Sequence, residues 1–116
     1  MQTVIHVSSP DTGDQHHAAV NTMNLLADES VSSSTDDVAI VANGSGVRMF
    51  VEETTSNSDI IENLREQGVE LLACRAALRG MGATDDDLLP GVEGVPTGAG
   101  ALARLQDEGY GYIKAP

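Results

Sequence analysis

The spacing of apolar positions changes repeatedly along the chain between the two-residue period of strands and the 3.6-residue period of helices. Residues 3–7 are short and rich in β-branched side chains, and Ser8, Ser9 and Pro10 close them, so they read as a first strand entering a loop. Ala19, Met23 and Leu26 fall at i, i+4 and i+7, which predicts a helix over 15–28 with Asp14 as its N-cap. Residues 30–37 are polar and read as an exposed loop. Residues 38–42 are apolar throughout, the pattern of a parallel strand covered on both faces. Asn43-Gly44-Ser45-Gly46 ends that strand, and a short helix is predicted over 47–51.

The alternation continues. A helix over 58–67 places Ile60, Ile61 and Leu64 on its inner face and Gly68 at its C-terminal end, followed by a third strand over 69–73. Cys74 opens a helix whose apolar stripe is Cys74, Ala77, Leu78 and Met81. Thr84 and Asp87, three apart, resemble a capping box at the start of a one-turn helix that Pro90 stops. A short strand over 92–95, a helix with the stripe Gly98, Ala101, Leu102 and Leu105, its C-cap Gly109, and a last strand over 110–113 complete the chain. Parallel neighbours need crossovers, and crossovers are right-handed. The expectation is therefore an α/β protein of about five mostly parallel strands with helices on both faces. At 116 residues it forms a single domain over 1–116, with enough buried surface for one core.

Charge narrows the range of partners. Eighteen acidic against six basic side chains give a formal charge of −12, which repels phosphate backbones, so neither nucleic acid nor an anionic membrane surface is an expected partner. No apolar run approaches a membrane span of about 20 residues, and the N-terminus has no cationic leader, so a cytoplasmic location is expected. Five of the six basic residues are Arg, Lys114 is the single Lys, Trp is absent and Phe50 is the single Phe. An acid-rich, Lys-poor chain with small hydrophobic residues resembles proteins adapted to high internal salt, where screening suppresses self-repulsion. It is expected to lose stability on desalting.

In parallel sheets, reactive groups gather where strand ends lead into helix N-termini. Four loops qualify: 8–17, 43–46, 73–75 and 96–98. Cys74 is the prime candidate, because unpaired N–H groups and the positive end of a helix dipole favour a thiolate, and Arg75 adds positive charge nearby. The same position, first in an apolar stripe, also suits a small buried hydrophobe that is inert. A single cysteine excludes an intramolecular disulfide, a Cys-x-x-Cys redox pair and a thiolate zinc cluster, so another molecule must complete any covalent sulfur chemistry.

Other motifs are weaker. His16 and His17 stand at the start of the first helix and His6 in the first strand, with Asp11 and Asp14 near, but adjacent helical residues point about 100° apart and no zinc spacing occurs, so no metal site is expected. One of the two adjacent imidazoles is expected to face solvent and the other, taken as His17, to line the loop cluster. Met49 stands where a dinucleotide fingerprint needs its third glycine, so Gly44 and Gly46 read as a strand-ending turn, and no phosphate loop carries Lys-Ser/Thr. Asn43 and Gly44, with the Thr97-Gly98 helix entry, are candidate ligand contacts beside Cys74. Asp85-Asp86-Asp87 reads as solvated surface.

Four stretches together resemble the DsrE/DsrF-like family, in a small branch whose composition is of haloarchaeal type: residues 21–26, 41–47, 68–78, and 94–98 continuing through 106–113. The resemblance covers nearly the whole chain. It implies a parallel α/β sandwich of DsrE-like, flavodoxin-like form, assembled into trimers or hexamers. It also implies a sulfur relay, with a persulfide carried on the cysteine that begins the helix after the third strand, the position of Cys74, and passed to a partner thiol. Members of this kind work with companion donor or acceptor proteins and imply no cofactor. The other expectation is a non-catalytic oligomeric module that binds a small ligand or a protein, with Cys74 inert.

Overall fold

The computed structural model describes residues 1–33 and 35–116; Ser34, in the predicted polar loop, lies outside the described residues. Strands β1 (Gln2–Val7), β2 (Asp37–Ala42), β3 (Glu70–Cys74), β4 (Val92–Val95) and β5 (Gly111–Lys114) form one sheet in the order β4-β3-β2-β1-β5, with every pairing parallel. Between them run α1 (Thr12–Ala27), a 3₁₀ segment (Gly44–Phe50), α2 (Ser58–Glu66), α3 (Arg75–Gly80), a one-turn 3₁₀ helix (Asp85–Asp87) and α4 (Gly98–Asp107). This is the α/β sandwich the alternating pattern predicts.

Crossover handedness distributes the helices. From β1 to β4 the chain steps in one direction across the sheet, so right-handed crossovers place every connection on one face. The return from β4 to β5 runs the other way and places α4 on the opposite face. Two cores result. Ile5, Val7, Ile40, Ala42, Leu71 and Ala73 pack against α1, the first 3₁₀ segment, α2 and α3, with Phe50 and Met49 fully buried. Val4, Ala39, Val41 and Leu72, the alternate strand positions, pack under Ala101, Leu102 and Leu105 of α4. Helices thus occupy both faces, though unequally. α4 packs against β1, β2 and β3. Residues of β5 are exposed, with Tyr112 43% and Ile113 44% accessible.

Three local expectations need correction. The N-cap of α1 is Asp11, whose carboxylate accepts from the Asp14 backbone N–H at 2.9 Å, so the helix starts one turn earlier than the apolar stripe reveals. The stripe misses this turn because Thr12 and Gly13 are exposed and carry no apolar signal. Cys74 does not open its helix: it is the last residue of β3 and the N-cap of α3, in extended conformation. The last strand begins at Gly111, one residue after Tyr110, because Gly109 (φ +100°) ends α4 and Tyr110 donates back to the Leu105 carbonyl. The capping interaction at Thr84 is as expected, its N–H bonded to the Asp87 carboxylate at 2.8 Å. Among the described residues no helix is long and apolar enough to cross a membrane.

Candidate functional site

The sheet opens where chains leave adjacent strands toward opposite faces, which is where ligands bind in such folds. Here that point lies between β3, whose chain continues into α3 on one face, and β4, whose chain continues into α4 on the other. Cys74 ends β3 and Gly98 begins α4, so both stand at this crevice. Their register extends the site. Ala42 is level with Ala73, so the next residues, Asn43 and Cys74, are level too. Gly98 closes over both. A Cβ on Gly98 would meet the Asn43 Cβ at 2.6 Å and the Cys74 Cβ at 3.4 Å, so only glycine allows α4 to start this close to the strand ends. Thr97 caps the helix, accepting from the Gly100 N–H at 2.9 Å.

From Asn43 two hydrogen bonds lead away across β1 to β5. Asn43 Oδ1 lies 2.8 Å from His6 Nε2, and His6 Nδ1 lies 2.6 Å from the Tyr112 hydroxyl, with the two rings 5.7 Å apart. His6 follows Val4 on the α4 face of β1, by strand alternation, and Tyr112 is level with Val4 on β5. The two bonds run diagonally across the sheet, since His6 is level with Val41, two residues before Asn43, and Tyr112 is level with Val4, two residues before His6. Lys114, at the end of β5, donates to the Ser8 hydroxyl at 2.9 Å.

Cys74 is 6% exposed and belongs to the buried set on the α3 side. Arg75 points elsewhere: its guanidinium grips Asp85 through Nε and a terminal nitrogen, the shortest contact 2.8 Å, across the face of Gly94. The hydrogen bonds and charge of Arg75 hold the Asp85 carboxyl below the usual range, and Asp85 in turn raises the guanidinium above its own. A cavity of about 330 Å³ beside this pair is lined by Arg75, Leu78, Arg79, Ala83, Thr84, Asp85 and Asp86, and not by Cys74. Of the residues singled out in sequence, the fold unites Cys74, Asn43 and Gly98, with Thr97 at the edge. Gly44 (φ +52°) is exposed at the turn after Asn43 and lines a separate groove with Arg48 and Met81. His17 is exposed on α1, while its neighbour His16 bonds Asn57 through Nδ1 at 2.9 Å. Sequence reasoning left His6 without a role and did not single out Tyr112, because a lone imidazole in a strand and a tyrosine near the C-terminus carry no local signal.

The arrangement defines a parallel α/β sandwich with a solitary thiol at the divergence of two crossovers. The chain belongs to the DsrE/DsrF-like family, whose model matches residues 1–115. Its fold is similar to that of MTH1491, a protein of unknown function from Methanobacterium thermoautotrophicum, with a TM-score of 0.88 and 33% identity over 97% of each chain. It is also similar to the ychN protein of E. coli, with a TM-score of 0.80 and 20% identity over 98% of this chain and 99% of that one. No curated protein matches significantly.

Proposed function

We propose that this protein is a cytoplasmic sulfur carrier that holds a persulfide on Cys74 and passes it to a partner thiol. The observation that carries the reading is the position of the only cysteine, at the end of β3 where the sheet diverges, in a chain of the DsrE/DsrF-like family. The Cys74 thiolate attacks the outer sulfur of a donor persulfide, forming one S–S bond and breaking another, and the donor leaves as a thiolate. An acceptor thiolate then takes the outer sulfur and regenerates Cys74. Each step exchanges one S–S bond for another, so no external oxidant or reductant is required. Cys74 is the N-cap of α3, whose first N–H groups have no helical carbonyl to bond, although its side chain makes no capping hydrogen bond.

Incubation with inorganic polysulfide is expected to add about 32 Da to Cys74, read by peptide mass spectrometry, and Cys74→Ser to abolish the gain. The burial of Cys74 favours a second reading, a non-catalytic oligomeric binding module with an inert thiol. Iodoacetamide separates the two: comparable alkylation rates in native and denatured protein support the carrier, and a native thiol that reacts only after unfolding establishes the module.

The charge distribution supports adaptation to high salt. Among the described residues, ion pairs engage Asp36 with the N-terminal amine, Glu62 with Arg65, Asp85 with Arg75 and Glu108 with Arg104, so most of the eighteen carboxylates have no cationic partner. Screening shortens from about 10 Å at 0.1 M salt to about 3 Å at 1 M. The thermal midpoint is expected to rise by about 10 °C over that range, or roughly 2–3 kcal/mol. An unchanged midpoint removes the proposal. The same samples test assembly into trimers or hexamers, which would cover exposed β5; sedimentation at the monomer mass in both salts excludes it.

A further inference from the structure

The segment after α3 turns back on the helix and shapes a cavity of about 330 Å³ that the sulfur chemistry does not use. Met81 caps α3, Gly82 (φ +75°) reverses the chain in a conformation that favours glycine, and the Ala83 N–H returns to the Leu78 carbonyl at 2.9 Å. Leu78 and Ala83, both buried, supply the apolar part of the lining. One wall is fixed as well. Arg75 grips Asp85, and a Cβ on Gly94 would meet the Asp85 Oδ1 at 2.5 Å and the Arg75 Nε at 2.7 Å, so glycine lets that ion pair lie against β4.

Two opposite charges face this cavity without a partner. Of the three consecutive carboxylates, Asp85 is bound by Arg75 and Asp87 accepts from the Thr84 N–H at 2.8 Å, which leaves Asp86. Of the two guanidiniums in the lining, Arg75 is bound by Asp85, which leaves Arg79. Asp86 and Arg79 both line the cavity, yet among the described residues no ion pair joins them to one another or to any other group. Carboxylates are abundant in this chain, so Arg79 stays free by its placement and not for want of an anion.

We propose that this cavity binds a zwitterionic α-amino acid with an apolar side chain, Arg79 taking the carboxylate, Asp86 the ammonium, and Leu78 and Ala83 the hydrocarbon. Charge and size both select this class. A simple anion would face the repulsion of Asp86 and a simple cation that of Arg79, whereas a zwitterion satisfies both and adds no net charge to a chain that carries −12. A volume of about 330 Å³ lies at the small end of the range for ligand pockets, which suits a molecule of amino-acid size. Exposed ion contacts contribute little each, so the expected Kd is about 1 mM. Cys74 does not line the cavity, so this inference is independent of the sulfur-carrier reading.

The test titrates L-leucine into the intact protein with isotope-labelled methyl groups and follows the Leu78 and Ala83 methyl signals by NMR. Saturating shifts with a Kd of about 1 mM are expected. Arg79→Gln is expected to weaken binding about fivefold and Asp86→Asn about threefold, with unchanged urea midpoints, since both side chains are exposed and hold no ion pair among the described residues. Two analogues test the charges without any substitution: isocaproate, which is leucine without its ammonium, and isoamylamine, which is leucine without its carboxylate, are each expected to bind at least about threefold more weakly. The absence of saturating shifts up to about 20 mM leucine overturns the proposal. So does an analogue that binds as tightly as leucine, or a pair of folded variants that bind leucine as the wild type does.

Discussion

Phe50→Ala is expected to lower the thermal midpoint by about 15 °C, the result of losing about 3–5 kcal/mol. Phe50 is the only phenylalanine in a chain without tryptophan, it is fully buried, and it ends the 3₁₀ segment in the core between the sheet and the helices on the α1 side. The groups around it are mostly small or aliphatic, and its carbonyl accepts from Leu89 at 2.9 Å, so the backbone is held and cannot collapse into the vacated space. The cost is therefore the transfer of the ring plus the cavity it leaves. Chemical denaturation in high salt, where the charge is screened, reads the loss directly. Phe50→Leu is expected to retain most of the stability, and a loss below about 1.5 kcal/mol for the alanine variant would show that the ring is not enclosed.

Gly46→Ala is expected to cost about 3 kcal/mol and to slow sulfur loading as well. A Cβ there would stand 2.5 Å from the Val7 carbonyl oxygen and 2.8 Å from both the Val7 carbonyl carbon and the Ser8 Cα. These are backbone atoms, so no side-chain rotation relieves the contact, and the 3₁₀ segment must move off the end of β1. That movement strains the bond between the Gly46 N–H and the Asn43 carbonyl, and with it the placement of Asn43 beneath Gly98. Gly80→Ala provides the control, since its Cβ would meet nothing within 4 Å. A Gly46→Ala protein as stable as Gly80→Ala would contradict the close approach that the structure shows.

Both variants bear on how the site was read. Gly46 was legible in sequence as part of a turn after a strand; the structure places it inside the 3₁₀ segment that already begins at Gly44, and adds the reason for glycine: β1 comes too close for any side chain. Cys74, Asn43, Thr97 and Gly98 were legible as strand-end and helix-entry residues, since that property depends on local pattern alone. Arg75 was expected to add charge beside the thiol because it is the next residue. Its guanidinium lies instead on Asp85, a partner ten residues away that no local rule selects. The N-cap of α1 was displaced for a related reason: the cap lies outside the apolar stripe, where only the backbone geometry of Asp11 marks it.

The sequence by itself determined the order and type of the elements, the parallel α/β class, the single thiol and the acidic surface, because periodicity, turn residues and charge act over a few positions and need no distant partner. Only the tertiary structure decided which strands are neighbours, and therefore that His6 bonds both Asn43 and Tyr112 although His6 and Tyr112 stand 106 residues apart. Strand order is a property of the assembled chain, and with crossover handedness it sets the face each helix covers: α4 returns over the opposite face, and Gly98 lets it approach the strand ends.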